Sequence, residues 1–295
     1  MSQLPLSTPR MDEVLGLSPG GFHRLAYVEW GNPTAPVTIC VHGLTRNGRD
    51  FDRLAAALAA SGRRVVCPDI VGRGLSDRLA DPAHYGYPQY LADMTALIAR
   101  LDTGPIDWVG TSMGGLIGLL LAAQPQTPIR RMVLNDVGPF VPKAALERIA
   151  TYVGQAPSFR DEAEVEAYLR LIHAPFGPLA DEDWRHLARH AARPRSDGLL
   201  ELHYDPGIGR AFTERLLADI DLWQAWDRIS CPVLALRGSL SDLFLAETAA
   251  EMGRRGPRTE IREIAGVGHA PMLMAPDQIA LVSDWLADVK PAQPS

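Results

Sequence analysis

The run Trp108-Val109-Gly110-Thr111-Ser112-Met113-Gly114-Gly115-Leu116 constrains this chain more than any other. It reads Gly-x-Ser-x-Gly between an apolar strand-like stretch, Ile106 to Val109, and an apolar helix-like one, Leu116 to Ala123. That pattern predicts a strand turning sharply into a helix, with a strained serine exposed at the tip. At such a turn the backbones approach so closely that side chains at 110 and 114 would collide, and glycine removes them. The new helix aims its free N–H groups at negative charge forming near the hydroxyl. In a chain with 26 glycines the spacing alone is a weak signal, and the flanking strand and helix give it weight.

The same alternation runs along most of the chain. Strand-like segments are Phe22 to Trp30, Val37 to Val41, Arg64 to Cys67, Arg130 to Asn135, Pro232 to Leu236 and Glu260 to Ile264. Between them lie helical patterns at Phe51 to Ala60, Gln89 to Leu101 and, last, Pro276 to Val289. Gln89 to Leu101 carries Leu91, Met94, Leu97, Ile98 and Leu101 on one face. Strands alternating with helices predict a mostly parallel central sheet flanked by helices, an α/β architecture. Functional groups in such sheets collect at the carboxyl ends of the strands. Residues 140–229 break the pattern, with no clear strand and with Trp184, Trp223 and Trp226. They are expected to form a helical cap insertion, leaving 1–139 and 230–295 as the core.

Composition narrows the partners. A hydrophobic content of 46% supports a sizeable core. A formal net charge of -6 argues against nucleic acid or an anionic membrane as the main partner. The longest apolar run, Gly114 to Ala123, is about half a membrane span, so no spanning helix is expected. Met1 to Asp12 lacks the apolar stretch of a signal peptide. Cys40, Cys67 and Cys231 are scattered, with no metal spacing, and read as reduced core thiols in a cytoplasmic protein. The oligomeric state is left open.

A serine hydroxyl needs a histidine to remove its proton and a third group to orient that histidine. His269 follows the last strand in the glycine-rich loop Gly266-Val267-Gly268-His269-Ala270-Pro271 and is the expected base. Two acids follow strand ends between Ser112 and His269. Asp242 is preferred because its strand immediately precedes the one carrying His269, and Asp136, after Asn135, is the alternative. The expected oxyanion donors are the N–H groups of Met113, directly after the nucleophile, and Leu44, in the loop His42-Gly43-Leu44-Thr45. Gly43 lets that loop turn, and His42 is expected to hold it by hydrogen bonds rather than to act as a base.

His42-Gly43, Asp69 to Asp77, Gly110 to Gly115, Asp242 and Gly268-His269, in that order, resemble the α/β-hydrolase fold superfamily in its capped serine-hydrolase, carboxylesterase-like branch. Serine at the elbow departs from the dehalogenase and epoxide-hydrolase branches, which carry aspartate there. The resemblance implies a Ser-His-Asp enzyme acting on a small-molecule carboxylic ester, without a cofactor, under a cap that shapes the pocket. Carbon–carbon bond hydrolysis of ring-cleavage products and cofactor-free perhydrolysis use the same three groups and remain alternatives. A ligand-binding member of the fold is the non-enzyme alternative, against which the complete triad argues.

His186 and His190 are four apart on a predicted helix, which is metal-ligand spacing, but no glutamate follows His186 and no third ligand is near in sequence. A solvated helix face is therefore expected, with Arg185, Arg189, Arg193 and Arg195 forming a basic stripe. Tyr152, Phe159, Tyr168, Phe176, Trp184 and Trp223 are divided between pocket lining and cap core, and the sequence does not sort them.

Overall fold

The apolar runs pair edge to edge into one sheet. In a computed structural model, residues 8–213 and 217–287 are described. Val289, the predicted end of the last helix, and the first residues of the chain lie outside them. The sheet has eight strands in the order β1-β2-β4-β3-β5-β6-β12-β13. They are β1 (Arg10–Ser18), β2 (Gly21–Trp30), β3 (Val37–Val41), β4 (Arg64–Pro68), β5 (Ile106–Thr111), β6 (Ile129–Asn135), β12 (Val233–Gly238) and β13 (Thr259–Ile264). The strands β7 to β11 fall in residues 140–229, described below. β1 and β2 form an antiparallel hairpin, β2 pairs antiparallel with β4, and every other pairing is parallel.

Side chains of the parallel strands alternate between two packed faces, as the pleat requires. Val37, Ile39 and Val41 of β3 join Trp108 of β5 in one cluster, and Cys40 and Val109 join the other. The helices α1 (Asp52–Ala60), α2 (Tyr87–Leu101), α3 (Met113–Ala122), α9 (Ala246–Met252) and α10 (Pro276–Ala287) flank the sheet. α2 and α3 pack in the first cluster, and α1 and α10 pack in the second. Both faces of β3, β4, β5 and β12 are covered, which is why these strands read as apolar runs, whereas the edge strand β13 stays half-exposed.

β1 is absent from the sequence-based expectation. It forms the edge of the sheet, with Met11, Leu15 and Leu17 exposed, so the burial that makes a strand legible is missing.

The registers place Val41, Thr111, Asn135, Gly238 and Ile264 near one edge. The chain order reverses beside β3, with β4 on one side and β5 on the other. That is the switch point at which open α/β sheets hold their ligands.

The described residues of 140–229 contribute nothing to this sheet. They hold α4 (Lys143–Ala150), α5 (Glu162–Ile172), α6 (Asp181–Ala191), α7 (Arg210–Thr213) and α8 (Trp223–Trp226). Contrary to expectation they also contain short strands. β8 (Ser158–Phe159), β9 (Ala192–Pro194) and β10 (Leu200–Leu202) pair together, and β7 (Phe140–Val141) pairs with β11 (Ile220–Asp221). Runs of two or three residues are too short to show a period of two. The β7–β11 pair closes the entry of the segment against its exit, and the Leu222 N–H donates to the Pro139 carbonyl at 2.7 Å.

Candidate active site

Ser112 stands at the tip of the turn between β5 and α3 with φ 52° and ψ −116°, a left-handed conformation that a serine adopts only under constraint. The constraint is visible. The Ser112 N–H donates to the Asn135 carbonyl at 3.0 Å, and the Ser112 carbonyl accepts from Gly115 and Leu116 at 2.9 and 3.1 Å. The Trp108 indole N–H donates to the Gly114 carbonyl at 3.0 Å and braces the turn from below. A Cβ at Gly114 would lie 2.0 Å from the Val41 carbonyl oxygen, and one at Gly110 would lie 2.4 Å from that of Gly114. Both glycines are required by close backbone approach, as the spacing predicts.

The Ser112 hydroxyl lies 2.9 Å from His269 Nε2. On the other side of the ring, Nδ1 lies 2.7 Å from Asp136 Oδ2. With Nδ1–H donating to the carboxylate, Nε2 presents its lone pair to the hydroxyl. This corrects the preference for Asp242. Asp242 is about half exposed, and Arg148 of α4 forks its carboxylate, Nη2 to Oδ1 at 2.9 Å and Nε to Oδ2 at 2.5 Å. Asp136 is fully buried. Its N–H continues the β6–β12 ladder to the Leu236 carbonyl at 2.8 Å, which turns its side chain across the end of β12. There it accepts from the Gly238 N–H at 2.7 Å and the Ser241 hydroxyl at 2.6 Å, as well as from His269. The end of β12 and its loop thus supply donors to Asp136, the carboxylate that meets His269, rather than that carboxylate.

Ser241 and Asn135 are residues of the candidate site's hydrogen-bond network that the sequence reading did not single out. Asn135 Nδ2 donates to Thr111 Oγ1 at 3.0 Å and to the Pro271 carbonyl at 2.7 Å, joining the serine turn to the histidine loop. The signal for Asn135 was its place at a strand's carboxyl end. For Ser241 it was the polar run Ser239-Leu240-Ser241-Asp242, within which nothing ranks one side chain above another.

His42 is fully buried and bonded at both nitrogens. Nδ1–H donates to the Gly43 carbonyl at 2.7 Å, and Nε2 accepts from the Ile70 N–H at 2.9 Å. A second proton would face the Ile70 N–H, and burial pulls the pKa of this ring down to about 3. His42 is therefore a neutral ring fixed in the loop by its two hydrogen bonds. In a trans peptide the N–H points opposite to the carbonyl, so a Gly43 carbonyl held on His42 turns the Leu44 N–H away from it. The Leu44 carbonyl is held in turn by Arg73 Nε at 2.8 Å. Arg73 is almost wholly buried, with its guanidinium 5.0 Å from the Tyr90 ring centroid. Gly43 lies against the nucleophile, a Cβ there falling 3.8 Å from Ser112 Cβ. Met113 is the first residue of α3.

Two cavities meet at Ser112. The larger, of about 410 Å³, is lined by Met113, Leu116 and Val137 and, from the 140–229 segment, by Leu146, Ile149 and Phe212. The smaller, of about 60 Å³, is polar on one side, with Arg46, Asp50, Tyr152, His173 and Phe176 around His269. His173 is stacked on Phe176 at 4.4 Å, and burial pushes its pKa well below the usual range. Of the aromatic residues the sequence could not sort, Tyr152 and Phe176 border this cavity, and Phe159 and Trp184 are buried in the core that the segment shares with the sheet.

His186 and His190 do not form a solvated face. His186 Nε2 lies 2.9 Å from the Arg49 carbonyl, and the His190 carbonyl accepts from Asn47 Nδ2 at 2.8 Å, so this side of α6 packs on the turn that leads into α1.

The model of the alpha/beta hydrolase family matches residues 38–281. The chain is 48% identical over 288 residues to a 3-hydroxybutyrate-oligomer hydrolase of Cupriavidus necator, covering 95% of this chain and 98% of the relative. It is 28% identical over 247 residues to a 2-(acetamidomethylene)succinate hydrolase of Mesorhizobium japonicum, covering 83% and 85%. The crystal structure of an alpha/beta hydrolase from Novosphingobium aromaticivorans superposes with a TM-score of 0.85 at 36% identity, covering 96% of this chain and all of that one. Among the described residues no helix is long and apolar enough to cross a membrane.

Proposed function

This chain belongs to the alpha/beta hydrolase family and is a hydrolase of ester bonds, and from that premise we propose that it cleaves short oligoesters of a 3-hydroxy acid through an acyl-enzyme on Ser112. The observation that carries the mechanism is the continuous hydrogen-bonded line Ser112–His269–Asp136. Ser112 Oγ attacks the ester carbonyl while His269 Nε2 takes its proton. Asp136 keeps the proton on Nδ1 and stabilises the imidazolium that forms. The N–H groups of Leu44 and Met113 receive the oxyanion, supported by the His42 bond that orients the first and by the N-terminus of α3 at the second. His269 then returns its proton to the leaving alcohol. Water, deprotonated by the same nitrogen, releases the acid.

The substrate class rests on the relative of 48% identity, which matches along nearly its whole length. Residues 140–229 act in this reading as a cap, since their side chains complete the cavity beside Ser112. The working compartment we infer is the cytoplasm, on three unpaired, buried cysteines.

The test uses purified protein with the linear dimer and trimer of 3-hydroxybutyrate, and with short aryl esters. Wild type should release the monomer acid, and Ser112→Ala should lose turnover by about 10⁴-fold or more while keeping its fold. Turnover of aryl esters but of neither oligomer would retain the mechanism and discard the substrate. Undiminished turnover in Ser112→Ala would discard both.

A further inference from the structure

α6 brings two imidazoles over a carboxylate that lies 134 or more positions away in the sequence. His186 Nε2 is 3.6 Å from Asp52 Oδ2, and the His186 and His190 ring centroids are 4.7 Å apart at 62°. One donor atom from each of Asp52, His186 and His190 lies within 4.8 Å of the other two. Asp52 is 2% exposed, and both histidines are half-buried. Two imidazoles and a carboxylate are the donor set of zinc-type ions, which bind such atoms at about 2.0–2.2 Å. Donors around one such ion sit about 3.5 Å apart. The His186–Asp52 pair is already at that separation, and rotation of the side chains closes the rest.

We propose that Asp52, His186 and His190 form a binding site for one divalent transition-metal ion of the zinc class, tying α6 to the start of α1. None of the three takes part in the serine chemistry. In the bound state His186 carries its proton on Nδ1 and gives the Nε2 lone pair to the ion. The Arg49 carbonyl, now 2.9 Å from that nitrogen, stands beside the ion as an oxygen donor, and water completes the coordination. Arg49 also sets the affinity. Its Nε lies 2.9 Å from both oxygens of Asp52, so the ion must share the carboxylate with a guanidinium, whose charge opposes binding.

Titration of metal-stripped full-length protein with ZnCl₂ by calorimetry, and with CoCl₂ by visible absorption, tests the site. One ion per chain is expected, with a tetrahedral-type cobalt spectrum. His186→Ala and His190→Ala should each weaken Kd by about tenfold or more. Arg49→Gln keeps the carbonyl, removes the opposing charge and should tighten Kd severalfold. Zinc at about 100 times Kd should raise the Tm of wild type by roughly 5 °C and that of the histidine variants far less. In EDTA both histidine variants should turn over aryl esters as wild type does. Where an alanine variant folds poorly, His186→Gln and His190→Gln keep the side-chain bulk and serve instead. Absence of zinc binding overturns the proposal. So does unchanged stoichiometry and Kd in both histidine variants, which would place the ion elsewhere, as on His269. Weaker binding in Arg49→Gln also overturns it.

Discussion

At the scale of single residues, the acid is the sharpest question. Asp136 accepts three hydrogen bonds, from His269, Ser241 and Gly238, in full burial, whereas Asp242 is held at the surface by Arg148. Asp136→Asn should lower kcat by about 10⁴-fold, because asparagine removes the charge facing the imidazolium and favours the wrong tautomer. Asp242→Asn should stay within about threefold of wild type, losing only an exposed ion pair. Steady-state kinetics on one aryl ester decides between them, and a larger loss in the Asp242 variant would return the acid to the β12 loop. His42 gives a second residue-scale expectation. Its pKa in the folded chain is about 3, below its unfolded value near 6.5. The unfolded chain therefore binds more protons between those limits, and stability falls as pH drops from about 6.5 towards 3. His190, pulled to about 3, and His203, pulled to about 4, act in the same direction, both mainly through burial. Asp69 opposes them. Burial lifts its pKa to about 6, so its contribution declines as pH rises from about 4 through 6. Urea midpoints at pH 7 and pH 5 should fall for wild type and fall less for His42→Gln, which keeps one donor and one acceptor but cannot take up the proton. An equal fall in both would remove His42 from the acid response.

At the scale of elements, the strand–turn–helix around Ser112 depends on backbones in contact. A methyl at 114 meets the Val41 carbonyl at 2.0 Å and the His42 carbonyl at 2.9 Å, atoms fixed in β3 and its loop rather than at the free end of a side chain. Gly114→Ala should cost about 3 kcal/mol or more, a Tm loss of about 6 °C or more, and should lower kcat on the order of 10²-fold as the nucleophile shifts. Gly253→Ala, whose methyl would find its nearest atom at 3.5 Å, is the matched control and should be close to neutral. Thermal melts and kinetics on the pair check this. The elements also show what a sequence makes legible. Ser112 and His269, which the fold brings to 2.9 Å, could be singled out because their signals are local: a glycine on each side of a turn, or a glycine-rich loop after a strand. β3, β4, β5, β6 and β12 could be read because burial on both faces leaves an apolar run. The exposed edge strand β1 has no such signature. Asp136 and Asp242 both follow strand ends, and choosing between them needs the sheet order β6-β12-β13 and the direction in which Asp136 leaves the ladder. His186 and His190 read as exposed because the residues they meet, Arg49, Asp52 and Asn47, lie 134 or more positions earlier in the chain.

At the scale of the whole molecule, two bodies of side chains share one cavity. The sheet loops carry Ser112, His269 and Asp136, and the 140–229 segment supplies Leu146, Ile149 and Phe212 to the wall beside the nucleophile. The segment is tied down around its rim rather than through the triad. Arg53 pairs with Glu182, the Gly74 N–H donates to the His203 carbonyl at 2.7 Å, and the Gly268 N–H donates to the Pro175 carbonyl at 2.7 Å. In the proposed mechanism the chemistry and the fit are therefore carried by different residues. Shortening a wall residue should enlarge the space offered to the acyl or alcohol chain without disturbing the hydroxyl–imidazole–carboxylate line. A hydrophobic pocket discriminates by about tenfold or more per methylene, so Ile149→Ala and Phe212→Ala should each shift relative kcat/KM towards longer esters by about tenfold. The rate at which a small alkyl fluorophosphonate labels Ser112 should stay within about threefold of wild type, since that probe occupies only the space next to the serine. A series of aryl esters of increasing chain length, run beside the labelling assay, separates the two properties. If labelling collapses in correctly folded wall variants, the segment contributes directly to the reacting groups, and the division between sheet-borne chemistry and segment-borne fit fails.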